Sequence, residues 1–292
     1  MKKKFSVLIN NKIQKFNKTI TVESDKSISH RSLLIASQCI GPSVLNNVLK
    51  SENVQNTIIC LRKLGVKILQ KNKKYIIYGN GLGSFKQPRN NFLYTGNSGT
   101  LARMIISLLG TQPNMKVKIG GDNSLNKRDM KRIIEPLSKI GCNFYPKNKT
   151  TLPLTVEGTS MPLAQKHFEY IGSAQVKSAI LLAALNTPGI TEIKTKKISR
   201  NHTENLLATI KSDIKIKKSA KGHLISLRGQ KNLFGFNLNI PGDPSSAAPF
   251  VILTLLTANS KLTIKNVNCN KTRIGFINIL KKMNANIKIK NL

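Results

Sequence analysis

"SDKSISHRSLLIAS", residues 24 to 37, joins two unlike halves. The first is small, polar and basic (Lys26, Ser27, Ser29, His30, Arg31). The second is apolar and helix-forming. The same join returns three times, in "TGNSGTLARMIISLL" from Thr95, "IGSAQVKSAILLAAL" from Ile171 and "PGDPSSAAPFVILTLL" from Pro241. With Lys26, Asn97, Ser173 and Pro244 as markers, the steps are 71, 76 and 71 residues. A period of that length describes a folding unit in its own right, unlike one turn of a solenoid.

A second helical pattern sits between the copies. "ENVQNTIICLRKLGVKI", "KRDMKRIIEPLSKIGCNF", "RNHTENLLATIKSDIKI" and "TRIGFINILKKMNANIKI" each read as an amphipathic helix, a turn and a short strand. Gly65, Gly141 and Asn284 are suited to end three of them. Alternating runs fill the gaps ("YIIYG", "MKVKIGG", "LPLTVEG", "TEIKT", "HLISLRG", "NLNIPG", "KLTIKNV") and read as strands with one covered face. Each unit is therefore strand, helix, strand, helix and one or two further strands. Four units fit, the last incomplete. The expected class is α/β, with helices inside and sheets packed around them.

Composition narrows the function. The formal charge of +36 over 292 residues suggests a polyanion partner. The lysines, however, are spread along the whole chain, aromatic residues are sparse, and no nucleic-acid motif appears, so no nucleic acid is expected. A basic cleft for small anions fits equally well. No apolar run reaches the roughly 18 residues of a membrane span. The basic head "MKKKFSVLINN" lacks the apolar core and cleavage site of a secretory signal, and a cytoplasmic protein is expected. Cys39, Cys60, Cys142 and Cys269 are far apart and form no metal or redox motif; buried thiols are expected. The four histidines are scattered and acids are few, so no metal site is expected. No nucleophile elbow or phosphate loop is present, and "GNGLG" at 79–83 reads as a turn.

The polar clusters have two readings. Each suits an ordinary helix N-cap. Each also suits an anion site, because the first N–H groups of a helix lack partners and the dipole makes that end positive. Small residues such as Ser27, Gly99, Ser173 and Gly242 allow close approach, and Lys26, Arg31, Arg103 and Arg128 add charge. An arginine one turn into a helix opposes the dipole unless an anion accompanies it.

Six stretches in order, "DKSISHRSLL", "GNSGTLAR", "KRDMKRIIEPL", "GSAQVKSAILLAAL", "SRNHTE" and "PGDPSSAA", resemble the successive signatures of the 3-phosphoshikimate 1-carboxyvinyltransferase (5-enolpyruvylshikimate-3-phosphate synthase) family. The resemblance runs from about Ser24 to Asn291. It implies an inside-out α/β barrel of repeated β-α-β-α-β-β units, four of the family's six being present. One lobe would be complete at residues 23–239. Residues 1–22 and 240–292 would together form a partial other lobe, with the site in the cleft between the lobes.

The implied reaction moves the enolpyruvyl group of phosphoenolpyruvate to the 5-hydroxyl of shikimate 3-phosphate and releases phosphate, with no cofactor and no metal. A monomer is expected. The resemblance assigns Lys26 to both substrates and to proton transfer, and Ser27 and Arg31 to shikimate 3-phosphate. Asn97, Gly99, Thr100 and Arg128 fall to phosphoenolpyruvate. Ser173, Ala174 and Gln175 fall to the phosphate and ring, and Ser199 with Arg200 to the shikimate phosphate.

Two departures stand out. Asp129 occupies a position that is usually proline in the family. The family's last two units, with their acid–base groups, have no counterpart before Leu292. The expectation is thus a chain that binds shikimate 3-phosphate but does not turn it over unaided. Two rival readings stand beside it. The related UDP-N-acetylglucosamine enolpyruvyl transferases call for a different start from "KSIS" and a loop cysteine. A basic nucleic-acid binder would owe its affinity to salt-sensitive phosphate contacts.

Overall fold

The computed structural model describes residues 6–8, 10, 12–72, 74–219 and 222–290; the basic head at residues 1–5 lies outside them. In chain order the elements are β1 (Asn17–Ile20), α1 (Lys26–Ser37), β2 (Ile40–Asn46), α2 (Glu52–Lys63), β3 (Lys67–Lys71), β4 (Lys74–Asn80), β5 (Phe92–Tyr94) and α3 (Gly99–Gly110). Next come β6 (Lys116–Gly120), α4 (Asn123–Asn126), α5 (Lys131–Ile140), β7 (Asn143–Tyr145), β8 (Leu154–Glu157), β9 (Lys166–Glu169), α6 (Ala174–Asn186), β10 (Ile190–Thr195) and α7 (His202–Thr209). The chain continues through β11 (Ile214–Ser219), β12 (Gly222–Arg228), β13 (Asn237–Asn239), α8 (Pro244–Leu256), β14 (Lys261–Ile264) and α9 (Gly275–Lys282). They form two compact units, Ser24–Ile240 and Met1–Glu23 with Pro241–Leu292.

The unit Ser24–Ile240 holds three sheets of one design. Their strand orders are β13-β2-β4-β3, β5-β6-β8-β7 and β9-β10-β12-β11. In each, the first pair is parallel and the other two pairs are antiparallel. The first sheet is closed by a strand from far along the chain: Asn237, Leu238 and Asn239 of β13 pair with Val44, Leu45 and Asn46. Strands such as β4 and β8 alternate buried and accessible residues, as one-sided sheets must.

Inside the sheets run α1, α3 and α6. α3 and α6 are largely apolar all round, as buried helices are, while α1 buries serines, His30 and Arg31 beside its apolar residues. Nine or ten residues of each are buried. α3 packs on α6 and α1, and α1, α3 and α6 pack on β4, β8 and β12 respectively. The outer helices α2 and α5 are amphipathic and end as expected, with Gly65 (φ 88°) just past α2 and Gly141 (φ 116°) capping α5. In the third copy Lys211 takes the left-handed position instead, at φ 56°.

The other unit contains one further copy of the opening elements. β1 pairs in parallel with β14, α8 packs on β14, and α9 ends at Asn284 in the left-handed region. α8 is as apolar as α3, yet only Pro244 and Ala247 are buried, while Phe250, Ile252, Leu253, Leu255 and Leu256 are exposed. Residues 286–290, expected as a strand, belong to no sheet among the described residues. Cys39, Cys60 and Cys142 are free and buried as expected, whereas Cys269 is half-buried. Among the described residues no helix is long and apolar enough to cross a membrane.

Among the buried polar residues, His30 stands at the centre of this core. His30 is fully buried, and its Nδ1 lies 2.7 Å from Thr57 Oγ1 of α2. Burial, reinforced by Arg31 and Lys26, lowers its pKa from 6.5 to about 3. The unfolded chain takes up this proton below pH 6.5, whereas the folded chain does not until about pH 3, so stability is lost as pH falls through that window. In urea denaturation between pH 7 and pH 5, the wild type should lose about 2 kcal/mol more than His30→Gln. Equal losses in the two proteins would show that His30 is not the buried neutral base described.

Candidate functional site

Three helix starts meet at one end of the Ser24–Ile240 unit. α1 is joined to the α3 start by His30 Nε2, 3.5 Å from the N-cap hydroxyl of Ser98. It is joined to α6 by Arg31, whose Nη2 donates to Ser178 Oγ at 3.0 Å. α3 is joined to α6 by Gln175, whose Nε2 donates to Thr100 Oγ1 at 3.0 Å and whose Oε1 accepts from Arg103 Nη1 at 2.8 Å. The three inner helices are therefore parallel, with their positive ends together.

Each start is capped from within the chain. Asp25 accepts from Ile28 N, Ser98 from Leu101 N and Ser173 from Val176 N. The capping reading of the polar clusters is thus correct as far as it goes. What caps leave unexplained is the surplus of cations. Arg103 lies against the first turn of α3, donating also to Gly99 O and Asp129 O. Arg128 donates to Asn97 Oδ1 at 2.8 Å. A methyl group at Gly99 would stand 2.7 Å from Arg103 Nη1 and 3.5 Å from Arg128 Nη1. Burial, followed by the Arg128 and Arg132 charges, holds the Arg103 pKa below its ordinary value, with Asp129 opposing. Like charges crowded at a positive helix end are relieved by an anion.

The remaining expected residues sit as follows. Lys26 opens α1 and is exposed; Ser27 follows it, and its carbonyl accepts from Arg31 Nη1 at 3.0 Å. Arg31 is buried, and its Nε donates to Thr203 Oγ1 of α7 at 2.9 Å, so it braces three helices. Ala174 is the first residue of α6. Ser199 and the exposed Arg200 precede α7, and Ser199 Oγ is buried without a hydrogen-bond partner among the described residues. Asp129 accepts from Lys131 N at 2.8 Å at the start of α5, and that bond is the main cause of its lowered pKa. It caps a helix.

The α8 start differs from the others. Asp243 caps Ser245 N and pairs at 2.6 Å with Arg273, which also donates to Ser245 Oγ at 2.8 Å. The arginine there is matched by an acid, unlike Arg31 at the α1 start and Arg103 and Arg128 at the α3 start.

Sequence reasoning missed the supports. Glu169, buried at the end of β9, accepts from Ile171 N and Gly172 N and so fixes the backbone that leads into Ser173. Lys177 of α6 and Glu204 of α7 form an ion pair at 2.6 Å, both 3% exposed. The available signal was a single charge in each of two otherwise buried helical faces.

An α/β protein of repeated β-α-β-α-β-β units, with cations gathered at converging helix starts, is the class these features define. The sequence profile of EPSP synthase (3-phosphoshikimate 1-carboxyvinyltransferase) matches residues 10–291, and the chain belongs to that family. The 3-phosphoshikimate 1-carboxyvinyltransferase of Bartonella quintana is 41% identical over 273 residues, covering 93% of this chain and 61% of that protein. The enzyme of that name from Petrotoga mobilis is 43% identical over 283 residues, covering 95% and 64%. The EPSP synthase structure from Acinetobacter baumannii superposes with a TM-score of 0.86 at 35% identity, covering 95% of this chain and 62% of that one. The chain thus spans a little over three fifths of the length of the curated relatives it matches.

Two glycines near the α3 start should respond differently to substitution. A Cβ at Gly99 would crowd the movable end of Arg103 and otherwise make ordinary contacts, whereas one at Gly121 lies 2.5 Å from the Gly96 carbonyl oxygen. Gly99→Ala should change unfolding stability by less than about 1 kcal/mol, and Gly121→Ala should cost about 2 kcal/mol or more. Denaturant titration of both variants checks this; equal costs would mean that the α3 start is less open than described.

Proposed function

We propose that this chain forms the shikimate 3-phosphate side of an enolpyruvyl transferase. The protein would move the enolpyruvyl group of phosphoenolpyruvate onto the 5-hydroxyl of shikimate 3-phosphate. The observation that carries the reading is the meeting of three helix starts tied by Gln175, Thr100 and Arg103, with Lys26, Arg31 and Arg128 beside them. Both substrates are phosphorylated carboxylates, and helix N-termini with arginine are suited to both groups.

In this reading, Ser173, Ala174 and Gln175 at α6 and Ser199 with Arg200 before α7 bind the shikimate phosphate. The partnerless Ser199 hydroxyl supports that role. Ser27 and Arg31 orient the rest of the molecule. Asn97, Gly99, Thr100 and Arg128 hold phosphoenolpyruvate at the α3 start, where the missing Cβ of Gly99 makes room for the Arg103 guanidinium. The 5-hydroxyl gives up its proton to a base as its oxygen adds to C2 of phosphoenolpyruvate, while a proton is delivered to C3. Loss of a proton from C3 then expels phosphate and restores the vinyl group. Lys26, exposed at the mouth of α1, is the lysine proposed to contact both substrates and to move a proton. Fixed donors at the phosphate stabilise charge on the leaving group.

Lys26→Ala tests the assignment without touching the core. Losing one charged hydrogen bond costs about 1.5–3 kcal/mol, or roughly tenfold or more in affinity. Calorimetric titration of the 292-residue chain with shikimate 3-phosphate should show that loss, with an unchanged unfolding temperature. Equal affinity in the variant would remove Lys26 from the site, and no binding by the wild-type chain would overturn the reading.

A further inference from the structure

The Lys177–Glu204 pair is expensive for its position. Both side chains are 3% exposed, and Glu204 Oε2 has no hydrogen-bond partner among the described residues. Native structures rarely leave a buried carboxylate oxygen unsatisfied without a reason. Buried ion pairs are also poor sources of stability, since apolar side chains of like volume often do as well.

The placement of the pair suggests what it does. Lys177 immediately precedes Ser178, and Glu204 immediately follows Thr203. Ser178 and Thr203 are the two hydroxyls that receive Arg31, and they lie 2.7 Å from each other. A hydroxyl contact alone tolerates sliding of α7 along α6, whereas a short ion pair one residue away does not. Lys177 also sits one turn inside α6, near its N-cap Ser173 and Gln175, and Glu204 sits in the first turn of α7, just after Ser199 and Arg200.

We propose that Lys177 and Glu204 are positioning residues: their ion pair fixes the register of α7 on α6 and so aims the Arg31 guanidinium and the two helix starts at one anion. The proposal rests on the shikimate 3-phosphate reading for the identity of that anion, but not for the geometry. The pair fixes where the cation points and adds little to how firmly the chain folds.

The test uses the full chain and the double variant Lys177→Met/Glu204→Met, which leaves no lone buried charge. It should unfold cooperatively at close to the wild-type temperature. Its affinity for shikimate 3-phosphate should fall on the order of tenfold, and Arg31→Ala should then cost it far less than it costs the wild type. A purely structural pair would leave that cost unchanged. Independently of any ligand, the Arg31 Nε–H signal in nitrogen-15 spectra, identified by its loss in Arg31→Lys, should exchange with water at least about tenfold faster in the double variant. Unchanged Nε–H exchange would overturn the proposal. If the wild-type chain takes up no shikimate 3-phosphate, the functional reading fails and the exchange measurement alone decides the pair's role. If the double variant does not fold, Glu204→Gln keeps the shape and one acceptor. Faster Nε–H exchange in it supports the proposal, and wild-type exchange overturns it.

Discussion

Parallel helices that begin at one place put their positive ends side by side, and much of the Ser24–Ile240 unit is arranged around that constraint. α3 and α6 each follow the first strand of their own sheet, β5 and β9, whereas α1 follows β1 and its sheet is completed by β13 in the equivalent place. The unpaired N–H groups and aligned dipoles of the three helices need negative partners. Asp25, Ser98 and Ser173 satisfy part of that need. Arg31, Arg103 and Arg128 then raise the positive potential again, which is sensible only where an anion completes the site. The α8 start shows the alternative, since Asp243 and Arg273 balance each other there.

The buried polar groups behind these starts serve the same end. Thr57, His30 and Ser98 form a line through α2, α1 and the α3 cap. Ser178, Thr203 and Arg31 form another through α6, α7 and α1. Such networks contribute little net stability, yet each half-satisfied arrangement is costly, so they select one arrangement of the helices over its neighbours. Glu169 does the same for the loop into α6 by holding two backbone N–H groups. A site that must grip a rigid, multiply charged ligand depends on supports of this kind.

The repeat was legible because its signal is strong and local: a polar cluster running into an apolar helix, repeated at nearly constant spacing. The strands followed from alternation, and of the turn expected at residues 79–83 only the part after β4 is a turn, since Gly79 and Asn80 end that strand. The closure of the first sheet by β13 was not legible, because Leu238 meets Leu45 across most of the unit and three residues carry no register information. Residues 286–290 alternate like a strand, but alternation describes a face and does not supply a ladder partner. Arg31 and Arg128 could be singled out by type and position. Their surroundings could not: one is buried among hydroxyls and the other reaches Asn97 at the surface. The Lys177–Glu204 pair escaped notice because the two residues are far apart in the chain and each alone resembles a solvated charge.

The central claim is that the starts of α1, α3 and α6 together bind the phosphate and carboxylate groups of small acids. A crystal structure of the 292-residue chain grown with shikimate 3-phosphate tests it most directly. The account predicts ligand density against Lys26, Ser173 and Gln175, with its phosphate near Ser199 and the inner helices undisplaced. Density elsewhere on the basic surface, with those helix starts empty, would contradict it.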